Sequence, residues 1–284
     1  MKKIGLMLVL ILAAASSAWC IENPWTRKLP FKQGVVTYEI SGTMKGSEQV
    51  FVKDHGATTA AYRTEVSTMF GMTQETRELT LTTPDWVYSV DLSDNSGTRQ
   101  VNPKKIIQEK FDALSRTEQK KLVKNSEELG VAMVGDMSGS VEKKALKLLG
   151  YKCDKGTAMG IDAYTLSGTD FPMKVTGSLM GVTISEIATK IDKQRVDEAK
   201  FKLPEGAQIE HEPEADRVVR DQIDLMFTSM LAGKRPPNPH EKAADDMAEA
   251  MKAMQQFKDN GGMEAFQNQM QQMQNLFNPN KSAE

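Results

Sequence analysis

The sequence predicts a mainly β chain of the α+β kind: an antiparallel sheet interrupted by helices and followed by a helical tail. Three observations carry this. Short runs alternating apolar with polar residues recur from Val36 to Leu203, separated by Gly, Asp, Asn and Ser turns. A helical pattern opens at Asn102-Pro103 and stops at Gly130. Beyond Pro213 the apolar spacing changes from two to three and four. The stretch Leu146 to Gly206 organises the rest. It supplies about four strands on the spacing rule for all-β sheets, and everything downstream reads as appended to it.

In chain order, Ile21 to Gln33 carries two prolines and no period, so it reads as a lead-in (21–33). Val36, Tyr38 and Ile40 then alternate with Thr37 and Glu39, a strand with one buried face. Gln49 to Lys53 is a second strand, and a turn at His55-Gly56 leads to a third, Ala61 to Val66. Thr76 to Thr82 alternates through Leu79 and Leu81; after the Pro84-Asp85 turn, Trp86, Tyr88, Val90 and Leu92 share a face. Ser93 to Gly97 turns the chain into Thr98 to Val101. Connections this short exclude crossovers and predict an antiparallel meander.

Asn102 is placed to cap a helix with Pro103 at its first position, and Ile107, Phe111 and Leu114 mark the buried stripe. Ser115 and Glu118 form a capping box for a second helix, with Leu122 and Val123 inside. Val131 to Ser140 is rich in Gly and Ser and predicts a loop. After the sheet domain (34–212), Val219, Ile223, Met226 and Met230 lie on one face of an amphipathic helix (213–233). A proline-rich linker (234–241) follows, then a Met- and Gln-rich tail (242–284). In the tail Met247, Met251 and Met254, then Met263, Phe266, Met270, Met273 and Phe277, sit on either side of Asn260-Gly261-Gly262. These spacings predict two short helices that cannot hold a core alone.

Composition and the N-terminus bound the function. The 284 residues carry 36 basic and 38 acidic side chains, a balance that points to no nucleic acid. A hydrophobic content of 39% suits a thin-cored fold better than a deep-centred enzyme. Residues 1–20 read as a signal peptide: Lys2 and Lys3 precede an apolar run, Ile4 to Ala15, too short to span a bilayer. Ser16-Ser17-Ala18 places cleavage after Ala18, with cleavage after Cys20 as the alternative. No later run is long enough to cross a membrane, so a periplasmic protein is expected. Ser-Ala-Trp ahead of Cys20 argues against lipoprotein anchoring. An oxidising compartment permits a disulfide between Cys20 and Cys153; unpaired thiols, or loss of Cys20 on cleavage, are the other outcomes.

Leu149-Gly150-Tyr151-Lys152-Cys153, the Phe171-Pro172-Met173 strand, and the Ala188-Thr189-Lys190-Ile191 to Phe201-Lys202-Leu203-Pro204 ending carry a resemblance. They resemble an uncharacterised family of secreted bacterial proteins grouped with the periplasmic lipoprotein-carrier (LolA/LolB-like) fold. The hairpin from Thr83 to Asp91 is similar too. The resemblance covers roughly residues 34 to 209. It implies a curled antiparallel sheet forming an unclosed half-barrel, with helices on the concave face and no catalytic residues. In better-understood relatives that face accepts acyl chains; for this chain that implication is an analogy from fold.

No chemistry is legible beside it. His55 stands in a hairpin turn, His211 in the acidic run Glu210-His211-Glu212 with no second His at ligand spacing, and His240 in the proline linker, without a nucleophile elbow or a Cys–His signature, so no enzyme, cofactor or metal site is expected. Gly177 and Gly181 lack the strand-to-helix context of a phosphate loop. The eighteen methionines include Met251 and Met254, and Met270 and Met273, at a spacing suited to Cu(I). Phe257, Phe266 and Phe277 continue the same seam, as packing requires and copper binding does not. The expected function is non-enzymatic binding of an apolar ligand, a lipid or lipoprotein acyl chain, in a cavity lined by Tyr38, Leu79, Trp86, Tyr88 and Met173. The alternatives are a scaffold whose Met/Phe-rich C-terminal helices dock on a partner protein or membrane, and a Cu(I)-binding protein.

Overall fold

Strand pairing follows chain order along two meanders, because short turns leave consecutive strands no other neighbour. The structure is a computed structural model that describes residues 21–236 apart from 70–71, 130–131, 135–136, 159 and 180–181. The first meander comprises β1 (Gly34–Gly42), β2 (Met44–Lys53), β3 (Thr58–Met69), β4 (Met72–Thr82), β5 (Trp86–Asp91) and β6 (Ser96–Val101). Next come α1 (Pro103–Ala113) and α2 (Arg116–Leu129). The second meander is β7 (Ala132–Val134), β8 (Met137–Leu148), β9 (Tyr151–Ala158), β10 (Ile161–Leu166), β11 (Pro172–Leu179) and β12 (Val182–Asp192). Finally β13 (Gln208–His211) precedes α3 (Pro213–Leu231).

Pairing of β1 with β12 joins the meanders into one sheet, in the order β13-β6-β5-β4-β3-β2-β1-β12-β11-β10-β9-β8-β7. The ends do not meet, so the sheet is an unclosed half-barrel. It is mixed rather than wholly antiparallel, since β13 runs parallel to β6 (Ile209 opposite Gly97). The expected loop over Val131 to Ser140 is instead the β7–β8 hairpin, Met133 opposite Ser138. Its Gly and Ser residues do not prevent the two strands pairing with each other, and β9 joins the ladder from Ser140 onward.

This order dictates where the helices go. β6 and β7 lie near opposite ends of the sheet, so the connection between them must traverse one face, and α1 and α2 make that traverse. Both start as expected. The Asn102 side chain accepts from the Lys104 amide at 2.9 Å and donates to the Thr83 carbonyl at 2.7 Å, tying the cap to the sheet. Glu118 accepts from the Ser115 amide at 2.9 Å, and the Glu118 amide returns a bond to the Ser115 hydroxyl at 3.3 Å.

α3 is integrated with these helices rather than appended. Its buried Ile223, Met226, Phe227 and Met230 share a cluster with Ile106, Ile107, Phe111 and Leu122. Asn125 donates to the Met230 carbonyl at 2.6 Å. Asp216 accepts from the Val101 amide at 2.6 Å, fixing the start of α3 to the end of β6.

The sheet itself has two cores, one per face, as a period of two requires. Val50 and Val52 on β2 face a cluster containing Val36, Tyr38, Cys153, Met173 and Ala188. Phe51, between them, faces the opposite cluster with Ala60, Leu79, Leu81 and Val90. We call the helix-covered face inner and the other outer. The outer cluster is sealed by the chain after β12, which contributes Val196, Phe201 and Leu203.

The aperiodic lead-in is also structural. Leu29 and Phe31 are buried in the inner cluster, and Trp25 packs on Phe227 of α3 with ring centroids 5.9 Å apart. The segment therefore straps the sheet to the helices.

Candidate functional cleft

Between the inner face, the lead-in strap and the helices lies a cleft of about 1240 Å³, partly open to solvent. Its floor is made by inward positions of adjacent strands: Tyr38 on β1, Glu48 and Val50 on β2, Thr59 and Ala61 on β3, Thr82 on β4 and Val87 on β5. Ladder register explains the grouping, since Val50 pairs with Ala61 and Thr82 with both Thr59 and Val87. The walls are Trp25 and Leu29 of the strap, Ile107 and Gln108 of α1, and Ser126 and Glu127 of α2. Phe171 and Pro172 close the side near β11.

Apolar and charged groups divide the lining. Trp25, Tyr38, Val50, Ala61, Val87 and Ile107 form its apolar part. Around them stand seven cationic side chains (Arg27, Lys28, Lys104, Lys105, Lys143, Lys144, Lys155) and five carboxylates (Glu48, Asp54, Glu127, Asp154, Asp170). Surface pairs such as Lys104 with Asp170 at 2.8 Å and Lys105 with Asp85 at 2.6 Å are solvated and contribute little to stability.

At one end of the floor a tighter polar group is embedded in the sheet. The Arg63 guanidinium donates to Glu65 at 2.8 Å, Glu186 at 3.0 Å and Glu48 at 3.2 Å, so one cation faces three carboxylates. Burial, then the neighbouring Glu186, push the Glu48 carboxyl up, and Arg63 opposes them. The Tyr38 phenol is held well above its usual range by burial and by Glu48 and Glu186; it stays neutral and donates to the Pro172 carbonyl at 2.7 Å.

On β9, Asp154 is a second buried carboxylate of the lining, with four donors. It accepts from the Lys144 amide at 2.8 Å, the Ser167 hydroxyl at 2.7 Å, the Gly168 amide at 3.2 Å and the Lys143 ammonium at 3.3 Å. Burial pushes its carboxyl up, but the bonds from Lys144, Ser167 and Gly168 and the charge of Lys143 outweigh this, so the net shift is downward.

The five residues expected to line one cavity are not brought together. Tyr38 lines the cleft. Met173 is fully buried in the inner core beside it. Leu79 and Tyr88 lie on the outer face, because Leu79 pairs with Tyr62 and Val90, and Tyr88 with Leu81. Trp86 shares the parity of Tyr88 and is covered by the helical cluster; Arg99 stacks on its ring at 4.7 Å and His211 meets it edge-on at 5.4 Å. Alternation identifies the strands but not which of the two faces the helices roof. The residues missed, Ala61, Val87 and the strap, give no signal, being small, on the face assumed polar, or aperiodic.

The histidines have structural partners. His55 donates from Nδ1 to the Leu29 carbonyl at 2.9 Å, and His211 lies 2.8 Å from Asp216. Cys153 is a buried free thiol whose acidity burial suppresses. Among the described residues no group of three or more His, Cys, Asp or Glu has metal-site geometry, and no helix is long and apolar enough to cross a membrane. Residues 1–20, expected to be a signal peptide and including Cys20, together with His240 and the methionines of residues 242–284, lie outside the described residues.

No family model matches the chain. No curated protein matches it either. Among solved structures it is similar to an uncharacterized conserved protein from Thermus thermophilus, at 10% identity and a TM-score of 0.38, covering 64% of this chain and 91% of that one. It is also similar to PNGF-II, at 12% identity and a TM-score of 0.35, covering 68% of this chain and 33% of that one.

Proposed function

We propose that this chain is an exported, non-enzymatic binding protein that takes an elongated apolar ligand, a lipid or acyl chain, into the inner cleft. The observation carrying the reading is the cleft itself. The helices roof the inner face without filling it, and the remaining space is well above the roughly 300 Å³ at which small-molecule sites begin. Its lining places Val50 beside Ala61 on β2 and β3, and Val87 on β5 one rung along beyond Thr82 of β4, with Trp25 and Ile107 also lining the space. Such a strip suits a chain of methylenes. The resemblance to lipoprotein carriers implies the same face, and the N-terminal segment implies the compartment.

The test is titration with a fluorescent fatty acid. Saturable uptake that unlabelled fatty acid displaces and Ala61→Trp removes is the expected result; no uptake by folded protein overturns the reading.

A second reading is that residues 242–284 are the working part, docking on a partner protein. The specific observation favouring it is α3, which leads toward that segment and exposes Val218 and Leu225, one helical heptad apart. Deleting residues 234–284 would then abolish partner pull-down while leaving fatty-acid uptake intact; unchanged pull-down overturns it.

A further inference from the structure

We propose that the cleft selects amphiphiles with an anionic head, carboxylate or phosphate, and that Arg27, Lys143 and Lys144 receive that head while the apolar strip takes the chain. This rests on the reading of the cleft as a lipid site. The charge balance gives the first indication. The whole chain has a formal net charge of -2, whereas the cleft lining carries seven cations against five carboxylates.

Arg27, Lys104, Lys105, Lys143 and Lys155 already pair with Glu22, Asp170, Asp85, Asp154 and Asp162, so the cations without a carboxylate among the described residues are Lys28 and Lys144. Asp154 is buried and already engaged by four donors, and Glu48 is held by Arg63. Around Asp154 the cations are close together. Lys143 contacts the Asp154 carboxylate, which also binds the Gly168 amide, and a side chain added at Gly168 would meet Arg27 Nη1 at 3.3 Å. With φ of +80°, Gly168 lets the β10–β11 turn expose its backbone beside that guanidinium.

A second observation concerns how the lysines are held. β8 carries an irregularity between Glu142 and Leu146, and Lys144 within it adopts φ 56°, a left-handed conformation unfavourable for a side chain of its size. The Asp154 bond to its amide maintains that conformation. A bulge of this kind re-aims side chains and recurs beside binding sites. Here it presents Lys143 and Lys144, both lining the cleft, from a fixed backbone. The Lys144 and Lys28 ammonium groups have no ion-pair partner among the described residues.

Arg27 supplies the third. Its Nε is shielded from solvent and makes no hydrogen bond, although it forms an ion pair with the largely exposed Glu22 carboxylate 3.5 Å away. Buried donors are normally satisfied, so a guanidinium with an idle N–H at the wall of a cleft is poised for an acceptor. A carboxylate or phosphate is the planar or multi-oxygen acceptor that such a fork takes best.

The experiment is calorimetric titration of the full chain with dodecanoate, dodecyl phosphate, dodecanol and inorganic phosphate, below micelle-forming concentrations. Both anionic amphiphiles are expected to bind about tenfold more tightly than dodecanol, with an advantage that shrinks as salt is raised. The variant Arg27→Gln, Lys143→Gln, Lys144→Gln should lose that advantage while keeping its affinity for dodecanol. Should it fail to fold, Lys28→Gln with Lys144→Gln, which leaves the Asp154 contacts in place, should lose about threefold. Equal affinity for dodecanol, or a preference that survives in the folded variant, overturns head-group selection and leaves the cleft as a lipid site. Inorganic phosphate binding as tightly as dodecyl phosphate also overturns it, assigning the cations to a free anion. If no acyl probe binds, the lipid reading of the cleft falls as well.

Discussion

Strands β2 to β5 present one kind of surface outward and another inward. Outward, Phe51, Ala60, Leu81 and Tyr88 form a row across four strands, with Leu79 and Val90 beside it, under Val196, Phe201 and Leu203 of the returning chain. Inward, the same strands alternate small apolar residues with Glu48, Arg63, Thr59 and Thr82, and the helices stand off to leave a cleft. Both faces contribute to the core, the inner one through Val36, Val52, Cys153 and Met173. The inner face differs in being packed on β1, β2 and the second meander while a cleft remains beneath α1 and α2.

The comparison can be broken at several points. The largest effect is expected from Leu79→Ala, which opens a cavity in the outer core and should cost about 3 kcal/mol in urea unfolding, with fatty-acid uptake unchanged. If uptake fell while the protein remained folded, the faces would not be independent. Asp154→Ala should cost about 2 kcal/mol at neutral pH by stranding its donors. The Asp154 carboxyl is lowered on folding, so its contribution is present above the unfolded carboxylate range and is lost as pH falls through the lowered folded value. The variant and parent should accordingly converge in acid; a gap constant with pH would contradict this. Ala61→Trp fills the cleft from a half-buried position, so it should lower uptake about tenfold or more while shifting stability by less than about 1 kcal/mol.

The smallest effect is expected from Glu48→Gln. Glu48 is raised on folding, so it weakens the native state progressively as pH climbs from the unfolded carboxylate range to the raised folded value. The substitution should add under about 1 kcal/mol near neutral pH and nothing in strong acid, by thermal unfolding across pH. A loss at neutral pH would show that the bond to Arg63 outweighs the burial of charge.

Much of this architecture is legible locally. The caps at Asn102 and Ser115, the stripe through Ile223 and Met230, and most strands follow from residue spacing, since turns and caps act over a few residues. What is not legible depends on distant partners. The β1–β12 ladder joins residues far apart in sequence, such as Val36 and Ile191, and nothing local specifies it. Leu79 and Tyr88 belong to the outer face rather than the cavity, and alternation marks two faces without saying which the helices cross. Leu29 and Phe31 are hidden by prolines, and the β7–β8 hairpin by residues whose strand state comes from their neighbour.

The most direct test is native mass spectrometry of the protein isolated from the cells that naturally make it. The account predicts an adduct of acyl-lipid mass that is absent from folded Ala61→Trp. Bare protein in both samples, with no uptake of added fatty acid, would contradict it.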